Sequence, residues 1–159
     1  MSTYLFSDPH FHHENMAKRR GFSSAEEMNE LIVKNWNNTI SKHDCVFLLG
    51  DITMEKKQYD ILSRLRGVIH VVLGNHDQRQ HVREMLNYVH SVSGVIYYKD
   101  VCILSHCPIH PQELTYRKAH YNIHGHVHEN SLDDPKYINV CAEMINYTPV
   151  EFAKLIPHG

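Results

Sequence analysis

The sequence has no closely spaced pair of cysteines, and this limits the sites that its cysteines can form. Four cysteines occur in 159 residues, and none of them belongs to a C-x-x-C pair. Structural zinc sites favour cysteine-rich tetrahedral ligand sets, so we do not expect one here. Cys45 and Cys102 lie in apolar runs, which indicates buried free thiols rather than disulfides and favours a reducing compartment.

Long apolar runs and broad basic patches are also missing. No run approaches the length of a membrane span, and the first residues, MSTYLFSD, lack the basic start and apolar stretch of a signal peptide. We therefore predict a cytoplasmic protein without membrane contact. The formal net charge is −2 and the longest basic run covers residues 18–20, so stable binding of duplex nucleic acid is not expected.

Histidine is the residue in excess. The chain has 15 histidines, against 16 lysines and arginines together. Histidine is the commonest metal ligand and an acid or base near neutral pH, although surface histidines can also accumulate by chance. The positions of the histidines decide between these explanations.

Apolar runs in the first half of the chain predict alternating strands and helices. Continuous runs over residues 45–49 and 68–73 predict strands buried on both faces, after a first strand over residues 4–6. A helix is predicted from Ser23 or Ser24 to about residue 41, and a crossover helix over residues 56–65. This order predicts a layered α/β fold.

The second half predicts further strands. Residues 95–98 and 101–104 form a predicted hairpin, and residues 121–123 and 137–140 are predicted strands before a short closing element at residues 150–156. No internal repeat or low-complexity linker interrupts the chain. We therefore predict a single domain over residues 1–159, and the sequence does not indicate an oligomeric state.

Polar clusters follow the predicted strands in five places. They are Asp8-x-His10, Gly50-Asp51, Gly74-Asn75-His76-Asp77, Ser105-His106 and Gly125-His126-x-His128. Ligands of α/β sheets bind at the carboxyl ends of the strands, so we expect these clusters to meet. Each cluster alone has an ordinary explanation, such as a turn or a core histidine. Together their imidazole, carboxylate and amide groups, without a thiolate, suit two divalent cations, and Asp51 suits a bridge between them.

This ordered set of motifs resembles the signature of the calcineurin-like metallophosphoesterase superfamily. The signature appears as DPH, GD, GNHD, SH and GHVH, from Asp8 to His128. The resemblance implies a two-sheet β-sandwich flanked by helices in four layers. It also implies hydrolysis of a phosphate ester by a metal-activated hydroxide. Two divalent ions per chain are implied, with manganese favoured and iron, nickel or zinc as alternatives.

The resemblance also assigns roles by position. One ion would be held by Asp8, His10, Asp51 and His128, and the other by Asp51, Asn75, His106 and His126. His76 would be catalytic without binding metal, at the leaving-group oxygen, and Asp77 would orient its ring through a hydrogen bond. His13 and Arg20 are candidate substrate contacts, with a solvated loop histidine and a solvated basic face as the alternatives.

The surroundings of the motifs favour one branch of this superfamily. Asp51 is followed by Ile52 and Thr53 rather than by the arginine-bearing loop of the protein phosphatases, and the chain ends soon after His128, without the cap of the double-strand-break nucleases. A phosphodiesterase acting on a small nucleotide or related diester is favoured. The alternatives are a broad-range phosphomonoesterase, a nuclease for short single-stranded ends and, least favoured, a metal-free binding scaffold.

Overall fold

The computed structural model of the protein describes residues 1–54 and 58–156, in which nine strands form two sheets. The strands are β1 (Thr3–Phe6), β2 (Cys45–Leu48), β3 (Val68–Val72), β4 (Ser91–Ser93), β5 (Ile96–Tyr98), β6 (Cys102–Leu104), β7 (Tyr121–His124), β8 (Tyr137–Asn139) and β9 (Val150–Glu151). The helices are α1 (Glu14–Arg19), α2 (Ala25–Thr39), α3 (Val82–Met85), α4 (Pro111–Arg117) and α5 (Phe152–Leu155), with 3₁₀ turns at Tyr59–Arg64, Arg79–His81 and Ala142–Ile145.

The first sheet has the order β4-β3-β2-β1-β9, with β1 to β4 parallel and β9 antiparallel at one edge. The three central strands, β1 to β3, are mostly apolar because both of their faces are covered. On β2, Val46 and Leu48 pack into a core with α2, while Phe47 faces a second core shared with the other sheet. Alternate residues of one strand therefore support two cores.

The second sheet has the order β5-β6-β7-β8. Strands β5 and β6 form the predicted antiparallel hairpin, and Lys99 and Asp100 in its turn both have a φ of 53°. They are the central residues of a turn closed by the bond from the backbone N–H of Val101 to the carbonyl of Tyr98 at 3.2 Å, and left-handed backbone at both positions is typical of a type I′ turn. The predicted mixed α/β fold, with two sheets flanked by helices, is confirmed.

Helix α2 forms where the sequence predicts it. Ser24 caps its first turn by accepting a hydrogen bond from the backbone N–H of Glu27 at 3.1 Å. Met28, Ile32 and Trp36 are fully buried against the first sheet, and the indole N–H of Trp36 donates to the carbonyl of Arg66 at 2.8 Å. No helix among the described residues is both long and apolar enough to cross a membrane.

The predicted crossover helix at residues 56–65 is a 3₁₀ helix over Tyr59–Arg64, and residues 56 and 57 lie outside the described residues. The difference has a physical reason in the sequence. Tyr59, Leu62 and Leu65 recur every third residue and are all buried, and a period of three is that of a 3₁₀ helix rather than an α-helix.

Candidate metal centre

The loops after five strands bring the predicted ligands to one edge of the two sheets. Asp8 and His10 follow β1, Asp51 follows β2, Asn75 follows β3, His106 follows β6, and His126 and His128 follow β7. The first three of these strands belong to the five-stranded sheet and the other two to the four-stranded sheet. The site therefore lies where both sheets end.

Five of these side chains are carried by left-handed backbone, which non-glycine residues rarely adopt. The φ angles are 57° at Asp8, 49° at His10, 52° at Asp51, 68° at His126 and 51° at His128. Such conformations cost about 1–3 kcal/mol each and concentrate at functional sites. Cross-loop bonds hold them, because the backbone N–H groups of Asp8 and His10 donate to the carbonyls of Gly50 and Asp51, each at 3.1 Å.

Two glycines let the loops approach one another. A Cβ on Gly74 would lie 2.2 Å from Oδ1 of Asp51, and a Cβ on Gly125 would lie 1.9 Å from Oγ of Ser7. Both distances are far inside van der Waals contact. Glycine is therefore required at these positions to bring the loop backbones against their neighbours.

The two carboxylate oxygens of Asp8 contact different groups. Its Oδ2 accepts hydrogen bonds from Oγ of Ser7 at 2.6 Å and from the backbone N–H of His126 at 2.8 Å. Its Oδ1 lies 3.5 Å from Nε2 of His10 and 3.9 Å from Nε2 of His128. Two atoms that each bind one ion at about 2.1 Å are roughly 3–3.5 Å apart, so these three groups are close to the spacing of shared ligands.

A second group of donors meets around Asn75. Its Oδ1 lies 2.9 Å from both Nε2 of His106 and Nδ1 of His126. The Nδ1–H of His106 donates to the carbonyl of Leu49 at 2.7 Å, which leaves Nε2 of that ring for a ligand.

Asp51 lies between the two groups. Its Oδ2 is 3.7 Å from Nε2 of His10 in the first group and 3.3 Å from Nε2 of His106 in the second. Its Oδ1 accepts a hydrogen bond from the backbone N–H of His76 at 2.9 Å, which fixes the carboxylate. One oxygen of Asp51 therefore faces both groups of donors.

Buried polar atoms without partners give a test of whether a cation fits. Among the described residues, Oδ1 of Asp8 and both ring nitrogens of His10 are buried without a hydrogen-bond partner. Buried polar groups are normally paired, because leaving one unpaired costs free energy. Burial is also the main cause of the lowered pKa of His10, which keeps the ring in the neutral form that binds metals. The donor set fits a divalent ion.

The pKa values of Asp8 and His106 determine how strongly protons compete with metal ions for these side chains. Burial works to raise the pKa of Asp8, but the nearby ring of His10, the charge of His106 and the hydrogen bond from Ser7 hold it below its usual range. Burial would lower the pKa of His106, but Asp51 and Asp8 raise it to about 9. Without metal, His106 is therefore protonated at neutral pH.

The carboxylate of Asp77 accepts three hydrogen bonds from backbone N–H groups. Its Oδ2 accepts backbone hydrogen bonds from Asp51 at 2.7 Å and Gly74 at 2.8 Å, and its Oδ1 accepts one from Ile52 at 3.1 Å. We predicted that this carboxylate orients the ring of His76. The bonds to the backbone join the loops after β2 and β3. The orienting role of Asp77 stays a prediction. Burial raises the pKa of Asp77 to about 6.

His76 lies beside the ligand cluster. Its half-buried ring has its centroid 5.9 Å from that of His10. The groups of His, Cys, Asp and Glu able to hold an ion, searched over the described residues, do not include His76. Its catalytic role stays a prediction.

His13 lies at the rim of the same cluster. Its Nδ1 caps α1 by accepting a hydrogen bond from the backbone N–H of Met16 at 2.8 Å, and its ring centroid is 6.0 Å from that of His10. Because Nδ1 is an acceptor, Nε2 carries the proton of the neutral ring and can act as a donor.

The guanidinium of Arg20 donates hydrogen bonds to groups of the protein itself. Nη2 donates to the carbonyl of Asp8 at 2.8 Å and to Oε2 of Glu143 at 2.7 Å, and Nη1 donates to the carbonyl of Pro9 at 3.2 Å. The side chain is 3% exposed and supports the loop after β1. The candidate contact of Arg20 with substrate stays a prediction.

Two residues of the site, Cys107 and Glu143, were not predicted from the sequence. Sγ of exposed Cys107 lies within 4.8 Å of ring nitrogens of His106 and His126, although we predicted a site without thiolate; its position directly after His106 was the available signal. Glu143 accepts a hydrogen bond from Nδ1–H of His128 at 2.5 Å. It lies beyond the last motif, where no pattern singles it out.

Comparison with known proteins gives the family. Residues 1–142 match the model of the calcineurin-like phosphoesterase superfamily domain, and the chain belongs to this superfamily. The protein is thus a metal-dependent phosphoric ester hydrolase.

Similar proteins come from distant sources. The chain is 38% identical to uncharacterized protein MJ1445 of Methanocaldococcus jannaschii, covering 98% of this chain and 92% of that protein. It is 30% identical to the gene 66 protein of Mycobacterium phage L5, covering 48% of this chain and 40% of the phage protein. A crystal structure of AQ665, a protein of unknown function from Aquifex aeolicus, superposes with a TM-score of 0.77 at 26% identity, covering 98% of this chain and 99% of that one.

Proposed function

We propose that the protein is a phosphodiesterase with a binuclear metal centre that hydrolyses a small nucleotide or related diester. The observation that carries this proposal is Oδ2 of Asp51, which faces His10 on one side at 3.7 Å and His106 on the other at 3.3 Å. Asp8, His10, Asp51 and His128 would hold one ion. Asp51, Asn75, His106 and His126 would hold the other, within one catalytic domain over residues 1–159.

The ions supply charge and an activated water when bound, since a pair of divalent ions stabilises both attacking and leaving oxygens of a phosphoryl displacement. The residues of the chain do the rest. The ring of His76 protonates the oxygen of the leaving group, and Nε2–H of His13 donates to a phosphate oxygen. We favour manganese, with iron, nickel or zinc as alternatives, because imidazole, carboxylate and amide donors accept all four. The nearby thiol of Cys107 adds a softer donor that favours zinc or iron more than the sequence alone indicated.

The preference for a diester is supported by the burial of the Arg20 side chain and its pairing with Glu143. A phosphomonoester carries more negative charge than a diester, and a free arginine would help to neutralise it. Here the guanidinium of Arg20 is buried and paired with Glu143 at 2.7 Å. The four free cysteines support our placement of the protein in the reducing cytoplasm.

Substrate class can be tested with a matched pair of nitrophenyl esters. After reconstitution with manganese, we expect the bis-nitrophenyl diester to be hydrolysed with a higher kcat/KM than the nitrophenyl monoester, for the charge reason given above. The measurement is repeated with iron, nickel and zinc, and the chelator-treated protein is the control. A clear preference for the monoester under every metal would instead identify a broad-range phosphomonoesterase. Cyclic nucleotides, dinucleotides and short oligonucleotides then identify the natural diester.

Metal binding should release protons in a pH-dependent way. His106 has a pKa of about 9 without metal, and only its neutral form can bind an ion, so loading at pH 7 should release about one proton from this ring. Apparent affinity for the ion at His106 should fall about tenfold per pH unit below this pKa. Calorimetric titration with manganese in buffers of different ionisation enthalpy measures the released protons. Equal affinity and no proton release between pH 6 and 8 would contradict the assignment of His106 as a ligand.

A further inference from the structure

We propose that Glu143 is a positioning residue of the metal centre, which together with Arg20 fixes His128 and the backbone of Asp8 for the first ion. This inference rests on the proposed function, because it takes Asp8 and His128 as ligands of that ion. Glu143 lies in the 3₁₀ turn Ala142–Ile145, beyond the last motif of the sequence.

The contact between Glu143 and His128 leaves one ring nitrogen of His128 available for the metal. Oε1 of Glu143 lies 2.5 Å from Nδ1 of His128. A carboxylate only accepts, so Nδ1 carries the proton and Nε2 keeps its lone pair. That Nε2 is the atom 3.9 Å from Oδ1 of Asp8. Partners of this kind orient metal-binding histidines and raise their basicity.

The other oxygen of Glu143 connects to the loop that carries Asp8. Oε2 accepts a hydrogen bond from Nη2 of Arg20 at 2.7 Å, and the same guanidinium donates to the carbonyls of Asp8 at 2.8 Å and Pro9 at 3.2 Å. Asp8 follows a strand of the first sheet and His128 a strand of the second. One carboxylate thus links two ligands from different sheets.

The turn that carries Glu143 is itself fixed against both loops. The backbone N–H of Ala142 donates to the carbonyl of Ser7 at 3.0 Å, next to Asp8. The side-chain amide of Asn139 donates to the carbonyl of His128 at 2.6 Å. Glu143 therefore follows a segment in which a backbone group of Ala142 and the side chain of Asn139 bond to the two loops that it aligns.

A neighbouring ion pair offers a matched control. Arg19 and Glu129 are the sequence neighbours of Arg20 and His128. They pair at 2.6 Å, and their side chains are 55% and 57% exposed. Arg20 and Glu143 pair at 2.7 Å but are 3% and 17% exposed. Exposed pairs contribute little to stability, whereas removing one partner of a buried pair leaves an uncompensated charge. The two pairs share geometry and differ in burial and in contact with a ligand.

The test compares Glu143→Gln with Glu129→Gln by calorimetric titration of manganese. The substituted glutamine has the shape of glutamate but offers Arg20 and His128 no charge, and loss of a partner behind a metal ligand typically costs 10–100-fold in metal affinity. We expect Glu143→Gln to weaken one of the two binding steps by about that factor and to leave the other nearly unchanged. Glu129→Gln should match the wild type in both steps.

A second readout does not depend on metal. In the metal-free wild type, the Nδ1–H proton of His128 should be visible by NMR as a slowly exchanging imidazole proton, because it is held by Glu143. It should disappear in Glu143→Gln or shift strongly. Circular dichroism of each variant verifies the fold.

Three outcomes would overturn the inference. The first is a titration of Glu143→Gln that equals that of the wild type. The second is an equal loss of affinity in both binding steps, which indicates general destabilisation. The third is a wild-type protein in which Nδ1–H of His128 is not hydrogen-bonded. If the wild type binds no ions, the proposed function fails and the inference falls with it. If the wild type binds two ions and Glu143→Gln equals it, only the inference fails.

Discussion

The Asp51→Asn variant should lose most of its affinity for both ions, by more than about 100-fold each, since even partners behind the ligands account for 10–100-fold. The amide can keep the bond from the backbone N–H of His76 with its oxygen, and it then places an NH₂ group where Oδ2 faces His10 and His106. A donor replaces a charged acceptor in both metal positions. Elemental analysis after dialysis against limiting manganese measures the bound ions per chain, and diester hydrolysis should fall with them.

Asp133→Asn is the control for this substitution, because Asp133 is an exposed aspartate that belongs to none of the groups of candidate ligands. It should bind two ions like the wild type. We propose that Asp51 binds both ions. The number of ions that Asp51→Asn retains therefore shows whether Asp51 serves one ion or both. Loss of a single ion would assign Asp51 to one position only, and retention of both ions at full occupancy would contradict the bridging role.

The meeting of the candidate ligands at one edge of the sheets could be predicted because it follows from chain order. A polar residue directly after a buried strand is delivered to the end of a sheet, and Asp51 and Asn75 lie there as expected. The structure also brings His106 and His126 within 2.9 Å of Oδ1 of Asn75, although they follow strands of the other sheet. This prediction depended on the order of the motifs along the chain and not on local secondary-structure propensity.

Residues that hold other residues in place could not be predicted in the same way. The bonds of Asp77 to the backbone of Asp51, Gly74 and Ile52, and those of Arg20 to Asp8, depend on which groups tertiary packing brings near. An aspartate in a turn or an arginine before a helix has the same local pattern whether it faces substrate or scaffold.

In the fold, the long periodic helix could be predicted, whereas two short elements could not. The 15 residues of α2 give four turns of periodic burial, which the sequence displays plainly. Helix α1 has six residues and depends on the cap that His13 provides, and β4 has three residues at a sheet edge. Neither is long enough to show a period, so both escaped prediction.

His76→Ala should retain both ions and the fold while turnover falls about 10²–10⁴-fold, the usual contribution of a positioned acid or base. The backbone N–H of His76 donates to Oδ1 of Asp51 at 2.9 Å, and alanine keeps that bond. Only the ring is removed, and this ring lies beside that of His10 with a centroid separation of 5.9 Å. Elemental analysis measures the ions, and kcat for a series of aryl diesters measures the chemistry.

The dependence on leaving group distinguishes proton donation from metal binding. A nitrophenolate leaves without protonation, so the deficit of His76→Ala should be smallest for nitrophenyl esters and grow as the pKa of the leaving alcohol rises. Asp77→Asn serves as the contrasting variant. It places an amide NH₂ or a weaker acceptor against three backbone N–H groups, which should destabilise the protein by about 1–3 kcal/mol and weaken metal binding instead. If His76→Ala loses an ion and its remaining activity is insensitive to the leaving group, then His76 is a ligand and the division of the site into ligands and acid is wrong.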